Sequence, residues 1–512
     1  MKLQNVDWEQ LQNGSDIRGV ALEGIEDEPV NLTAEVSYAI GQAFAKWLEP
    51  KVEKQADLIR ISVGRDSRLS GEALESALVA GLASRGAQLT SFGLASTPAM
   101  FMSTVQEENS FDAGIMITAS HLPFNRNGFK FFTATGGLEK EDIAAILKLA
   151  ADVEVPETIE EVEVDELEFI STYAAGLVDV VRKGVTDPDN YDQPLKGLKI
   201  IVDAGNGAGG FFADKVLQPL GADTTGSQFL NPDGSFPNHI PNPEDKEAMA
   251  SISQAVLDNN ADLGIIFDTD VDRSAAVDAT GRAINRNRNI ALMSAILLEE
   301  HPGTTIVTDS ITSDELQVFI EKLGGVHHRF KRGYRNVINE SIRLNDEGVD
   351  SQLAIETSGH GALKENYFLD DGAYMIAKIL IKTARLKREG KTIDSMLAEL
   401  KDPAEAVEYR LNITDEDFQA AGQKVLEAVE KSAATQSGWT LVPKNYEGVR
   451  VSFDKDNGDG WFLIRMSLHD PILPLNIESR KTGGAKEIVG KIYDVLKDIS
   501  GVDLTLLEDA LQ

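Results

Sequence analysis

The sequence predicts a multidomain α/β protein of three or four domains, and three observations carry that expectation. At 512 residues the chain is longer than one hydrophobic core ordinarily serves. An apolar fraction of 42% and 43 glycines suit a packed α/β protein rather than a disordered one. Apolar strand-like runs alternate with helical periodicity, as βα units covering a parallel or mixed sheet require.

The formal net charge of −34 argues against nucleic acid and anionic membranes as partners. It also repels anionic small molecules, so a site for one would have to be a local positive pocket in a negative field. There are no cysteines, which removes disulfides, thiolate metal sites and cysteine nucleophiles together. The N-terminal stretch has no apolar core like a signal peptide and is too acidic for a transit peptide. No uncharged apolar run reaches the roughly 18 residues of a membrane helix. A cytoplasmic location is expected.

Residues 14–19, Gly-Ser-Asp-Ile-Arg-Gly, read as a turn-rich stretch with one cation, Arg18, among small residues. A helix is expected from about Thr33 to Trp47, then a strand from Ile59 into the charged turn around Arg65, and a helix from Ser70. Ile115 to Ile117 reads as a buried strand that delivers Thr118-Ala-Ser120-His121 into an irregular loop. A hydroxyl at a strand end is exposed yet rigidly held, which suits a serine nucleophile; His121 could move a proton and Lys130 could neutralise phosphate. The acidic residues 154–168 read as a linker.

A second domain opens with a helix near Phe169 to Lys183 and a strand running into Gly205-Asn-Gly207-Ala-Gly-Gly210, with a helix expected from Phe211. This is formally G-x-G-x-x-G, and Asp223 lies roughly where a ribose-binding acid would stand, so a dinucleotide site is one reading and a tight turn the other. The strand ending at Phe267 presents Asp268, Asp270 and Asp272, followed by Arg273. Three like charges this close call for a cation, and oxygen ligands select a hard one such as Mg²⁺. A third domain brings the basic turn Phe330-Lys331-Arg332-Gly-Tyr-Arg335 and the strand end Glu356-Thr-Ser358-Gly359-His360, whose Glu and Ser suit vicinal sugar hydroxyls. It closes with a helix around Asp371 to Lys387 and a Lys/Glu-rich helix. From about Pro403 alternating strands follow, and Arg465-Met-Ser467-Leu-His469-Asp-Pro comes after the second. Thr482 suits an N-cap for the last helix.

Thr-Ala-Ser-His-x-Pro followed by Asn-Gly-x-Lys resembles the phosphoserine loop of the α-D-phosphohexomutases, which include phosphoglucomutase and phosphomannomutase. The Asp-Arg, Glu-x-Ser-Gly-His and Arg-x-Ser stretches resemble three further family loops in the family's order. The resemblance implies four domains around a central cleft: 1–155 with the phosphoserine loop, 156–284 with the metal loop, 285–402 with the sugar loop and 403–512 with the phosphate loop. It implies catalytic roles for Ser120, His121, Lys130, Arg18, Arg273 and His360. Lys331, Glu356, Ser358, Gly359, Arg465, Ser467 and His469 would bind substrate, and Asp268, Asp270, Asp272 and phospho-Ser120 would hold one Mg²⁺.

The implied activity interconverts hexose 1-phosphate and 6-phosphate through a phosphoserine enzyme and a hexose 1,6-bisphosphate, which also serves as activator, in a monomer or dimer. His121, Lys130 and His360 are all candidates for proton transfer. The chain departs from the family pattern at Leu122, where Asn is usual. Thr269 and Val271 stand in place of glycines, and Leu468, His469 and Asp470 alter the phosphate loop. Alternatives are a sugar bisphosphate synthase of the same superfamily, a nucleotide-dependent oxidoreductase using the Gly205 turn, and a non-catalytic sugar-phosphate-binding protein.

Overall fold

The computed structural model describes residues 2–106, 110–467 and 470–512. His469 and Leu468 therefore lie outside the described residues. The chain divides into two compact units, Met1–Asn289 with Ser358–Ser395, and Ile290–Thr357 with Met396–Gln512. Among the described residues no helix is long and apolar enough to cross a membrane.

The first unit holds two mixed sheets. In the first, strand Arg60–Arg65 lies between Gln88–Leu94 and Ala113–Ile117, parallel to both, and Ala113–Ile117 pairs antiparallel with Arg126–Thr133. Ile61, Val63, Ile115 and Ile117 are fully buried, as the apolar runs require of strands covered on both faces. The expected helix spans Ala34–Val52, and Thr33 caps it by accepting from the Val36 amide at 3.4 Å. The acidic stretch after Glu154 is not a free linker. Val155 is buried, Ile159, Val162 and Val164 pack on the first core, and Asp165–Glu166 adds a parallel edge pairing at Thr90 and Ser91. Apolar residues spaced among the acids turn inward while the charges stay in water.

In the second sheet, Ile200–Asp203 runs parallel to Leu263–Phe267, which turns back antiparallel into Ser274–Asp278. Phe267 faces Ser274 across the ladder, so residues 268–273 form the hairpin's tip. After the Gly205 turn no α-helix begins. A 3₁₀ turn, Ala208–Gly210, runs into a six-residue π-helix, Phe212–Leu217. The helix expected near Asp371 spans Gly372–Arg388 with Asp371 as its N-cap.

The second unit holds a parallel ladder of Thr305–Thr308 with Val326–Arg329 and Ser351–Ile355, and a five-stranded antiparallel sheet. Helices Phe418–Thr435 and Gly484–Leu496 bury Val425, Val429, Ile488 and Ile492 with Val451, Phe462 and Leu475 of that sheet. On the sheet's other side Arg450, 1% exposed, lies 3.6 Å from the Trp461 ring centroid. It donates to Ser310 O at 2.8 Å, Thr312 O at 3.0 Å and Asp314 Oδ1 at 2.8 Å. Thr482 does not cap the last long helix. Gly483 occupies that position, and Glu405 accepts from the amides of Gly483 and Ala485 at 2.7 and 2.9 Å. The Lys/Glu-rich helix expected after residue 388 is only a short 3₁₀ turn, Ile393–Leu397.

Candidate active site

Ser120 stands three residues beyond Ala113–Ile117 with φ at +50°, a left-handed backbone that a serine adopts only when its surroundings hold it there. Its hydroxyl donates to Asp268 Oδ2 at 2.9 Å and accepts from Arg273 Nη2 at 3.0 Å. Thus the first sheet's loop meets the tip of the second sheet's hairpin. Arg273 also donates to His121 Nδ1 at 2.7 Å and to Asn242 Oδ1 at 3.2 Å. Burial first, then Arg273, His360 and Arg18, pushes His121 down to about 3, so its ring is neutral.

Asp268, Asp270 and Asp272 are fully buried, and an oxygen of each lies within 4.8 Å of the others. Burial and then Asp272 push the Asp268 carboxyl well above the usual range, against Arg273. Burial opposes the charge of Asp272 too, but Lys130, His360 and Arg273 pull it below that range. Lys130 donates to Asp272 and lies 3.3 Å from Asp270 Oδ2. Asp270 Oδ1 and Asp272 Oδ1 are buried with no hydrogen-bond partner among the described residues. Unpartnered carboxylate oxygens inside a protein are costly, and a hard divalent cation is the partner this all-oxygen set fits.

Arg18 donates to Thr118 O at the base of the serine loop and pairs with Asp16 at 2.9 Å. Ser358, Gly359 and His360 belong to the first unit, where His360 bridges the backbone of Arg273. Gly359 has φ +97°, and a Cβ there would meet Ser274 O at 3.2 Å. His360 Nδ1 lies 2.5 Å from Asp370 Oδ2. Burial opposes the ring's charge, but Asp370 and Asp272 raise it to about 9.

The second unit holds the remaining described candidates, Lys331, Glu356, Arg465 and Ser467, together with an acid that sequence reading missed. Glu447 accepts from Ser310 Oγ at 2.5 Å and the Arg332 amide at 3.1 Å, and lies 3.7 Å from Arg465 Nη1. Glu356 accepts from the Gly333 amide at 2.6 Å, and Lys331, two residues before that glycine, is exposed. Burial lowers the Arg465 pKa, against Glu447, and its Nε is buried without a hydrogen-bond partner among the described residues. Ser467 Oγ accepts from the Asp470 amide at 3.3 Å.

Two more residues escaped the sequence reading. Arg68, its side chain fully buried, donates to Ser120 O at 2.5 Å, Leu122 O at 2.6 Å, Pro123 O at 2.8 Å and Arg126 O at 2.9 Å. It therefore pins the loop that carries Ser120. Thr97 donates its amide to Asp270 O at 2.9 Å and its hydroxyl to the Asp270 carboxylate. Neither has a periodicity or spacing that marks it; Arg68 read only as one charge in a charged turn.

The Gly205 turn does not offer a pyrophosphate cradle. The amides of Gly205, Asn206, Gly207 and Ala208 are bound to Asp203 Oδ1, Phe229 O, Ala204 O and Thr269 O. A Cβ on Gly207 would stand 2.7 Å from Thr269 O. The glycines let this turn press against the aspartate loop, and Asp223 accepts from the Thr225 amide at 2.9 Å instead of awaiting a ribose.

Family models described as phosphoglucomutase/phosphomannomutase alpha/beta/alpha domains I, II and III match residues 9–155, 181–281 and 285–403. A phosphomannomutase/phosphoglucomutase of Pseudomonas putida is 30% identical over 499 residues, covering 97% of this chain and 96% of its own. A phosphoglucomutase of Neisseria gonorrhoeae is 28% identical over 483 residues, 94% and 95% of the two chains. Among solved structures, a phosphoglucomutase/phosphomannomutase family protein of Burkholderia thailandensis superposes with a TM-score of 0.75 at 25% identity, covering 98% of each chain.

Proposed function

From the premise that the chain belongs to the phosphoglucomutase/phosphomannomutase family, we propose that it is a Mg²⁺-dependent phosphohexomutase whose phosphoryl carrier is Ser120. The observation that carries the reading is the seat of the Ser120 hydroxyl, 2.9 Å from Asp268 and 3.0 Å from Arg273 at the end of a buried strand. Phospho-Ser120 passes its phosphoryl group to a free hydroxyl of a hexose monophosphate. The bond from phosphorus to Ser120 Oγ breaks as the bond to the sugar oxygen forms. Arg273, donating to Oγ, stabilises the charge left on the serine oxygen. The resulting 1,6-bisphosphate reorients and returns its other phosphoryl group to Ser120, and traces of it restore enzyme that has lost the phosphate.

Asp268, Asp270, Asp272 and a phosphoserine oxygen would hold Mg²⁺, which when bound neutralises phosphoryl charge. Lys130 and His360, both beside Asp272, are the candidates for moving the proton of the sugar hydroxyl. His121 accepts from Arg273 and aligns it. Arg18 holds the base of the serine loop. Glu356, Ser358 and Gly359 are assigned to the sugar hydroxyls. Lys331, Arg465, Ser467 and His469 are assigned to the non-reacting phosphate, and the unpartnered Nε of Arg465 supports that assignment.

Mass spectrometry of the purified protein should find a fraction carrying about 80 Da on Ser120, the mass of one phosphoryl group. Turnover of glucose, mannose and N-acetylglucosamine phosphates, with Mg²⁺ and a trace of bisphosphate, identifies the preferred sugar. Ser120→Ala should lower that turnover by several orders of magnitude with folding intact. Near-native turnover by the alanine variant refutes the mechanism.

A further inference from the structure

Val271, between two of the clustered aspartates, is fully buried and has φ at +70°. A β-branched residue is an outlier in this left-handed region, where Cβ crowds the following carbonyl. The conformation persists because the loop is pinned one carbonyl at a time. Thr269 O accepts from the Ala208 amide at 2.8 Å, Asp270 O from the Thr97 amide at 2.9 Å, and Val271 O from the Gly372 amide at 3.2 Å. Three separate elements therefore fix three consecutive peptides. Gly372 opens its helix so tightly against the loop that a Cβ there would stand 2.9 Å from Val271 O and 2.7 Å from the carbonyl carbon of Arg273. At the loop's base the Arg273 amide donates to Asp268 Oδ1 at 3.2 Å.

A glycine at position 271 would tolerate a broad range of backbone angles, so the loop could spread. A valine has a narrow left-handed well and one stiff side-chain rotamer, so spreading must also unpack a buried side chain. Mg²⁺ and Ca²⁺ differ in what they ask of such a loop. Mg²⁺ takes six ligands at about 2.1 Å in near-ideal geometry, whereas Ca²⁺ takes six to eight at about 2.4 Å and favours flexible sites.

We propose that Val271 is a specificity-determining residue for the metal: caged in a left-handed backbone, it keeps the three carboxylates from spreading and so discriminates against Ca²⁺. The inference rests on the metal reading above, and it concerns ion choice rather than the chemical step.

The test is isothermal titration of the full-length wild type, Val271→Gly and Val271→Ala with MgCl₂ and CaCl₂ separately, with circular dichroism to check folding. Wild type should bind Mg²⁺ in preference to Ca²⁺. Val271→Gly should shift the ratio of the two dissociation constants by about tenfold toward Ca²⁺, because ligand number and site flexibility set this selectivity. Val271→Ala, which keeps Cβ but loses the branch, should fall between. A folded Val271→Gly protein whose ratio stays within about twofold of wild type overturns the role of Val271 while leaving the metal site standing. Wild type that binds neither ion overturns the metal reading and this inference with it.

Discussion

Arg68→Lys separates charge from geometry at the loop that carries Ser120. The guanidinium serves four backbone carbonyls, those of Ser120, Leu122, Pro123 and Arg126, and its Nε lies 3.5 Å from Asp66 Oδ2. Lysine keeps a positive charge near the buried Asp66, so that carboxylate is not stranded. It has three donors on one nitrogen instead of a rigid fork of five, and from that point it reaches about two of the carbonyls. Of those it leaves, Pro123 O keeps the Arg126 amide at 3.0 Å, and each other carbonyl that becomes buried and unpaired costs about 1–3 kcal/mol.

If the loop loses its order in proportion, Ser120 is misplaced relative to Asp268 and Arg273. A displacement near 1 Å costs on the order of 100-fold in rate. Single-turnover transfer of a labelled phosphoryl group from hexose 1,6-bisphosphate to Ser120 should therefore slow by about 30-fold to several hundred-fold. The substrate KM should change by less than about threefold, since Arg68 is a positioning residue that would not meet the sugar. Native single-turnover rates in a folded Arg68→Lys protein would show that the four carbonyl contacts do not position the serine.

The glycine turn and the His239 pair give two further expectations. In Gly207→Ala the new Cβ would stand 2.7 Å from Thr269 O and 2.8 Å from its Cα. The aspartate loop must shift, and Mg²⁺-dependent turnover should fall by about 10- to 100-fold with the fold retained; turnover within about twofold of wild type would mean the loop absorbs the methyl. For His239, burial opposes the ring's charge, but both oxygens of Asp203 at 3.0 Å and the Ile240 carbonyl raise its pKa, with Asp245 adding to the field. A folded pKa above the unfolded value gives stability that is full below about pH 6.5 and is lost as pH rises through the folded pKa. The melting temperature should fall from about pH 6 to about pH 9, and His239→Gln should flatten that slope; parallel profiles for the two proteins would sink the assignment.

The loops were legible in the sequence because their chemistry is local. Ser120 follows a run of apolar residues, and the three aspartates follow another, so each strand end and its polar cargo could be read together. What could not be read was contact across the fold. Nothing near Arg68 announces that its guanidinium reaches residues 120–126, because partners 52 to 58 positions away leave no periodicity. Glu447 likewise joins Ser310, Arg332 and Arg465 from distant stretches. The Gly205 motif stayed ambiguous for a related reason. Its glycines signal close backbone approach, but whether to a pyrophosphate or to Thr269 is decided by tertiary packing. Thr482 lost the cap because Glu405, from another strand, supplied the acceptors first.

The Arg450–Trp461 contact bears on how the second unit can be dissected. Cut away as a separate fragment, the C-terminal sheet would carry a guanidinium whose three acceptors, on residues 310–314, had been left behind. It would also uncover Trp461 and Leu463, which are buried together with Ile311. A deeply placed cation without acceptors beside a bare indole is a recipe for aggregation rather than for a soluble module. A fragment that keeps the C-terminal sheet must therefore also carry residues 290–357, so that both sheets of the unit travel together.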